Sequence, residues 1–259
     1  MDYPEIKITF LGTGTSTGVP MIACHCEVCT STDTHDKRFR SSILVESKTT
    51  TLIVDTTPDF RSQMLRNKVD KLDAVLFTHS HKDHVAGMDD VKAFSFFQHK
   101  PMDIYATELT QTALKREFPY VFEKEKYPGV PEINVHTIDK NHSFTIGDIS
   151  VIPILVYHLN MRVLGFRFGD FTYITDANRI ETEEKQKIIG SKILVVNALR
   201  KKPHISHFTL QQAIDLGHEL NIPEVYFTHV SHQLGRYGDI EQELPEGMHL
   251  AYDGLKLVL

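Results

Sequence analysis

Long apolar runs are missing from this sequence, and so is any excess of positive charge. No stretch approaches the ~20 apolar residues needed to cross a bilayer. The start, Met1-Asp2-Tyr3-Pro4-Glu5, lacks the basic segment and apolar stretch of a secretory signal. These absences lead to the expectation of a cytoplasmic protein with no membrane partner. Lysine and arginine number 28 against 34 acidic residues, a formal net charge of −6. Nucleic-acid affinity comes largely from phosphate neutralisation, so an acidic chain argues against a general nucleic-acid binder. Cysteine is scarce. The three present all lie between positions 24 and 29, cannot all pair with one another, and suit metal ligation in a reducing compartment better than disulfides. Low-complexity segments and short-period repeats are also lacking.

What is present is an ordinary globular composition, 41% hydrophobic and 24% charged over 259 residues, ample for a sizeable core. Apolar-polar alternation and glycine turns predict a strand at Ile6–Leu11 entering Gly12-Thr13-Gly14, and a hairpin of Ser42–Glu46 with Thr51–Val54. Further strands are expected at Ala74–Phe77, Asp103–Ala106, Asn134–Ile138, Ile149–Val156, Val163–Phe168, Phe171–Ile174, Ile193–Val196 and Glu224–Phe227. Helices are expected after Pro58-Asp59 through Leu65, from Asp83-His84, and over Val91–Gln98, Glu108–Glu117, Glu181–Ile189 and Leu210–Leu220. Tyr120–Pro131 reads as a loop or flap. Met248–Ala251 and Leu255–Val258 read as a closing hairpin around Asp253-Gly254. Strand clusters followed by helices, twice over, predict an α/β fold of two packed sheets with helices outside.

The chemistry concentrates at strand ends. His79, His81, Asp83 and His84 fall within six positions directly after the apolar run Ala74–Phe77. His158 follows Ile152–Tyr157, Asp176 follows Phe171–Thr175, and His229 follows Val225–Thr228. Histidine and carboxylate suit zinc, manganese or iron. Seven such side chains delivered to one rim can hold two divalent ions and leave positions open for water and substrate. Two-metal sites generate hydroxide at neutral pH and clamp both oxygens of a displacement. Cys24, Cys26 and Cys29 with one imidazole would make a closed, structural zinc site; His232, His25 and His35 are the available fourth ligands, and three ordinary thiols are the alternative. Lys201 and Lys202 read as solvated surface charges.

His-x-His-x-Asp-His followed by a distant His, Asp and His resembles the metallo-β-lactamase superfamily. That resemblance implies a four-layer αββα sandwich over 1–259 as one domain, with a structural-zinc loop at about 18–40. Gly18-Val19-Pro20 followed by Cys24-His25-Cys26-Glu27-Val28-Cys29, and the late Thr228-His229-Val230-Ser231-His232-Gln233, resemble the phosphoribosyl cyclic phosphodiesterase and the pyrroloquinoline-quinone biosynthesis protein B group. The resemblance implies that His79, His81 and His158 hold one ion and Asp83, His84 and His229 the other, with Asp176 bridging. It assigns zinc to Cys24, Cys26, Cys29 and His232, and makes zinc or manganese the catalytic pair.

His207, in Ser206-His207-Phe208, matches a family histidine near the substrate phosphate. It and Asp83 are the catalytic candidates, His207 as proton donor. Arg200 and His207 are the candidates for substrate binding. Asn197-Ala198-Leu199-Arg200 departs from the Asp-Cys-Ser-His of some relatives, which leaves the exact substrate open. The expected reaction is attack of a two-metal-bridged hydroxide on a small cyclic phosphate or nucleotide-like ester. A thioester or lactone hydrolase, a tRNA 3′-processing nuclease and a non-hydrolytic metal-binding protein are the alternatives. The expected partner is a small phosphate ester, and a homodimer is compatible with the sequence.

Overall fold

The computed structural model describes residues 4–123, 125 and 129–259. In chain order the first half contains β1 (Lys7–Gly12), β2 (Ser42–Glu46), β3 (Thr51–Val54), α1 (Phe60–Asn67), β4 (Ala74–Leu76), α2 (Lys82–Val85), α3 (Lys92–Gln98), β5 (Met102–Ala106), α4 (Glu108–Glu117), α5 (Pro119–Phe122) and β6 (Ile133–Thr137). The second contains β7 (Phe144–Ile146), β8 (Ile149–His158), β9 (Met161–Phe168), β10 (Phe171–Tyr173), α6 (Thr182–Ile188), β11 (Ile193–Asn197), α7 (Leu210–Glu219), β12 (Glu224–Thr228), α8 (Tyr237–Glu243), β13 (Met248–Leu250) and β14 (Lys256–Val258). Two seven-stranded sheets result, ordered β14-β1-β2-β3-β4-β5-β6 and β13-β12-β11-β10-β9-β8-β7.

The period of two along each strand sorts the side chains into layers. Ile8, Phe10, Ile43, Val45, Leu52, Val54 and Leu76 face the second sheet, where Leu164, Phe166, Phe168, Tyr173 and Val195 meet them. The alternate residues Leu11, Leu44, Ile53, Val75 and Ile104 pack outward on α1, α3 and α4 through Phe60, Met64, Phe94 and Leu114. On the far side Ile154, Val156, Leu194, Val196, Val225 and Phe227 pack on Ile188, Ala213, Ile214 and Ile240 of α6, α7 and α8. Both faces of both sheets are thereby covered, giving the expected αββα order. Among the described residues, no helix is long and apolar enough to cross a membrane.

Two expectations need correction. Met248–Ala251 and Leu255–Val258 do not pair with each other. β13 lies parallel to β12 in the second sheet, and β14 runs antiparallel to β1 in the first. Asp253 and Gly254 are the crossover between sheets, held there because the Asp253 carboxylate accepts from Phe39 N at 2.7 Å and from Thr13 Oγ1 at 2.8 Å. Of the expected loop at Tyr120–Pro131, residues 120–122 belong to helix α5 with Val121 buried, and Tyr120 Oη donates to Asp89 Oδ1 at 2.8 Å; residues 124 and 126–128 lie outside the described residues. The short strand β7 was not anticipated.

Topology decides where the chemistry goes. β3 and β4 are parallel, and so are β10, β11 and β12. β8 and β10 flank β9 antiparallel, so they share a direction. The carboxyl ends of β3, β4, β8, β10 and β12 carry Asp55, His79, His158, Asp176 and His229. A crevice outside strand carboxyl ends is the usual ligand position in parallel sheets.

Candidate metal centre

Asp83, His84, Asp176 and His229 each offer a ligand atom, all within 4.8 Å of one another and all buried. His158, Asp176 and His207 form a second such group. Asp176 belongs to both, the position expected of a bridging carboxylate. His79 and His81 lie alongside: ring centroids are 4.7 Å apart for His79 and His81, 5.2 Å for His81 and His158, and 6.1 Å for His79 and His158. All seven predicted ligands are thus brought to one rim. The structure adds His207 to them more tightly than the sequence suggested.

The histidines are aimed by partners on their far nitrogens. His84 Nδ1 donates to Asp55 Oδ2 at 2.7 Å. Thr78 Oγ1 donates to the same carboxylate at 2.8 Å, so its lone pair is left to accept from His79 Nδ1 at 2.9 Å. His158 Nδ1 donates to the Ser206 carbonyl at 2.8 Å. Thr175 Oγ1 donates to Asp176 Oδ2 at 2.7 Å and lies 3.4 Å from His229 Nδ1. These partners fix which ring nitrogen carries the proton. Each assignment leaves Nε2 as the free lone pair facing the cluster, the arrangement that outer partners impose on metal-binding imidazoles.

Two observations test whether this donor set fits metal ions. The Nε2 atoms of His79 and His84 are buried without a hydrogen-bond partner. Orphaned buried nitrogens cost about 1–3 kcal/mol each and are rare unless something else satisfies them. His84 Nε2 does sit 3.2 Å from Asp83 and 3.1 Å from Asp176, close to charge but without hydrogen-bond geometry. The backbone is also strained here: Asp55, Asp176 and His229 have φ of 66°, 50° and 55°. Non-glycine residues in the left-handed region cost of order 1–3 kcal/mol and cluster at functional sites. The residues fit divalent ions.

The electrostatics agree. Burial pushes His84 down, but the charges of Asp83, Asp176 and Asp55 outweigh it and hold the imidazole well above the usual histidine range. Burial would raise Asp176, yet the neighbouring His229 and His84 keep its carboxyl well below the usual range. Burial, reinforced by His84, keeps His79 neutral and well below its ordinary value. An ionised Asp176 beside a neutral His79 is a donor pair ready for a divalent ion, whereas coordination by His84 would displace the proton that the three aspartates hold on it, the proton release that accompanies metal binding. His207 is lowered to about 3 by burial first and by the neighbouring His229 second. Its Nδ1 is buried without a partner, and its Nε2 lies 3.8 Å from Asp176 Oδ1.

The cysteines form a separate group. Cys24, Cys26, Cys29 and His232 each offer an atom within 4.8 Å of the others, and His232 Nδ1 is 3.3 Å from the sulfurs of both Cys24 and Cys26. His232 lowers Cys26 to about 6, while burial raises Cys29 to about 11. His25 is exposed, and His35 is engaged elsewhere, stacked on Tyr237 at 4.5 Å with Nδ1 on Asp33.

Arg200 differs from expectation. Its guanidinium donates to Gln233 Oε1 at 2.7 Å, to Pro203 O at 2.9 Å and to Lys202 O at 3.2 Å. These neutral partners hold the guanidinium to its own loop and to Gln233 without cancelling its charge. The sequence reading missed Asp55, Thr78, Thr175 and Asn178, which orient ligands or join the loops bearing them. Asp55 carried a visible signal, since it too ends an apolar strand.

The chain belongs to the metallo-β-lactamase superfamily: the Beta-lactamase superfamily domain matches residues 50–230. A crystal structure of a new diphosphatase from the PhnP family is 38% identical, with a TM-score of 0.92 over 98% of this chain and 97% of that one. Zinc-bound PqqB from Methylobacterium extorquens is 20% identical with a TM-score of 0.79, over 98% of this chain and all of that one, a likeness of fold. An octanoyltransferase from Porphyromonas gingivalis is 37% identical over 98% of this chain but only 52% of its own length. The chain thus spans about half of that curated relative. It has a hydrolase fold of the branch that includes the PhnP-family and PqqB structures, with a histidine–aspartate metal-binding cluster.

Proposed function

We propose that this chain is a metal-dependent phosphodiesterase acting on a small phosphate ester, a cyclic phosphate or nucleotide-like diester. In this reading His79, His81 and His158 hold one divalent ion, Asp83, His84 and His229 the other, and Asp176 bridges; Cys24, Cys26, Cys29 and His232 hold a structural zinc. Bound ions of zinc or manganese would supply Lewis acidity toward a phosphoryl oxygen and lower the pKa of water.

The observation that carries the reading is His207. Its imidazole lies inside the cluster, 4.4 Å ring to ring from His158 and 4.9 Å from His229, with one nitrogen unpartnered. A departing thiolate, with a thiol pKa near ~8.5, needs no proton. A departing alkoxide does, and a positioned imidazole is the usual donor. To serve as that donor, His207 needs the anionic ester to offset the burial and the neighbouring His229 that lower it to about 3. The loop is rigid enough for this. Leu199 N donates to Phe208 O at 3.1 Å, Phe208 N to Ala177 O at 2.8 Å, and Thr209 caps α7 reciprocally with Gln212. Similarity to the PhnP-family diphosphatase along nearly the whole of both chains supports phosphate ester chemistry.

A second reading, acyl ester or thioester chemistry, is favoured by the name of the P. gingivalis relative, although the chain spans half of that protein. A screen with manganese- or zinc-loaded protein separates the two. Bis(p-nitrophenyl) phosphate and cyclic phosphates should turn over at least about tenfold faster than acetyl and octanoyl thioesters. His81→Ala should abolish that turnover in a folded protein. His207→Ala should slow alkyl diesters more than p-nitrophenyl diesters, whose leaving group needs no proton. Faster thioester cleavage, or activity that survives His81→Ala, would overturn the proposal.

A further inference from the structure

Asn178 stands two residues beyond Asp176 and touches no ligand. Its Nδ2 donates to the Ile205 carbonyl at 2.9 Å, and its Oδ1 accepts from Leu159 N at 2.9 Å. Its main-chain N donates to Tyr157 O at 2.9 Å. Leu159 follows His158 directly. Ile205 precedes Ser206, whose carbonyl fixes His158 Nδ1, and lies two residues before His207. One carboxamide therefore sets the spacing between the loop that carries His158 and the loop that carries His207.

Beside the exposed polar residues Asn160, Lys201 and Lys202, each of these two loops also shows an apolar side chain to solvent. Leu159 is 48% exposed and Ile205 is 73% exposed, and neither belongs to a buried core cluster. Leu159 is also held at φ 58°, a conformation that glycine or asparagine adopts far more readily than leucine. Single exposed apolar residues need no explanation. Two of them, hung on the same side chain and each within two residues of a histidine of the cluster, form a built feature.

We propose that Leu159 and Ile205 are the two lips of a substrate subsite, spaced by Asn178, that takes a ring-sized apolar group of a phosphate ester. This rests on the phosphate-ester reading above and narrows it: the phosphoryl oxygens go to the polar cluster and the organic part to the lips. Covering one face of a ring with two aliphatic side chains removes enough apolar surface from water to change affinity about tenfold. Small alkyl esters would gain little from the same contact. Asn178 is a positioning residue in this scheme, because it acts through the loops it joins.

The test is a calorimetric titration of manganese-loaded protein with inorganic phosphate, methyl phosphate and phenyl phosphate. The starting protein should bind phenyl phosphate about tenfold more tightly than methyl phosphate. In the double variant Leu159→Ser, Ile205→Ser the preference should fall to within about twofold. A melting curve shows whether that variant is folded, and the single variants Leu159→Ala and Ile205→Ala should each reduce the preference in part. Asn178→Ala should also erode it, by letting the lips part. An equal preference for phenyl phosphate in the starting protein and the double variant overturns the lips while leaving the phosphate-ester reading in place. Failure of all three phosphates to bind, alongside absence of phosphodiester turnover, removes that reading and this subsite with it.

Discussion

Asp55 Oδ2 accepts a hydrogen bond from His84 Nδ1 at 2.7 Å, with both side chains fully buried. The same carboxylate accepts hydrogen bonds from Thr78 N at 2.9 Å and Thr78 Oγ1 at 2.8 Å. One aspartate at the end of β3 therefore orients two cluster histidines at once, His84 directly and His79 through Thr78.

That geometry makes Asp55 a strong determinant of metal binding although it is not itself among the proposed ligands. Outer partners of this kind are worth about 10–100-fold in metal affinity. Asp55→Ala should lower affinity by that order in a chelator competition and reduce hydrolysis in parallel. It should also destabilise the fold by about 1–3 kcal/mol through the polar groups left unpaired. Metal affinity equal to that of the unmodified protein would show that the remaining contacts orient His84 without help.

The cysteine group joins segments far apart in sequence. His232 lies three residues after His229, and Val230 is stitched to the first glycine turn through Thr15 N to Val230 O at 3.0 Å and Val230 N to Thr13 O at 2.9 Å. A closed zinc site contributes folding free energy directly. Cys26→Ser and His232→Ala should each remove about one zinc per chain by elemental analysis and lower the melting temperature by roughly 5 °C or more. The effect on hydrolysis should be indirect, through the loop that bears His229. If His232→Ala keeps its full zinc content and stability, this histidine is not the fourth ligand.

Asp253 supplies a pH test away from both groups. Burial raises its carboxyl to about 6, against the opposing hydrogen bonds from Phe39 N and Thr13 and the charges of Arg38 and Arg66. The folded pKa is above the ~3.9 of an unfolded aspartate, so the folded state holds the proton more tightly. Its contribution is fully present below about pH 4 and is lost as pH rises through about 6, a change of roughly 3 kcal/mol. Asp253→Asn removes this titration and keeps one acceptor. The difference in unfolding free energy between the two proteins should therefore shift by roughly 2 kcal/mol of that in favour of Asp253→Asn between pH 4 and pH 6.5. A pH-independent difference in denaturant titrations would mean that Asp253 is ionised throughout.

Much of the site was legible along the chain because ligands and strands obey local rules. Period-two apolar runs end where a polar side chain takes over, and His79, His158, Asp176 and His229 each stand at such an end. Side-chain type sufficed to mark them as metal donors, and the motif with its spacing to mark the superfamily. Two packed sheets with helices outside were legible from strand clusters followed by helices twice over, and the αββα order from the resemblance to the superfamily; in the structure Ile43 and Leu44 do face different layers.

The tertiary structure decided what depends on contacts between residues distant in sequence. Whether Met248–Ala251 pairs with Leu255–Val258 turned on Asp253 finding Thr13 and Phe39, more than two hundred residues away. Arg200 carries a charge that sequence offers to a substrate, and only the loop fold shows its donors engaged by Gln233, Pro203 and Lys202. Asp55 and Asn178 gain their importance from partners 29 and 27 residues away. Hydrogen bonds are short-range and directional, so which polar groups meet follows from how the sheets close on each other. Local pattern determines which residues can do chemistry; the packing of the two sheets determines which nitrogen each one presents.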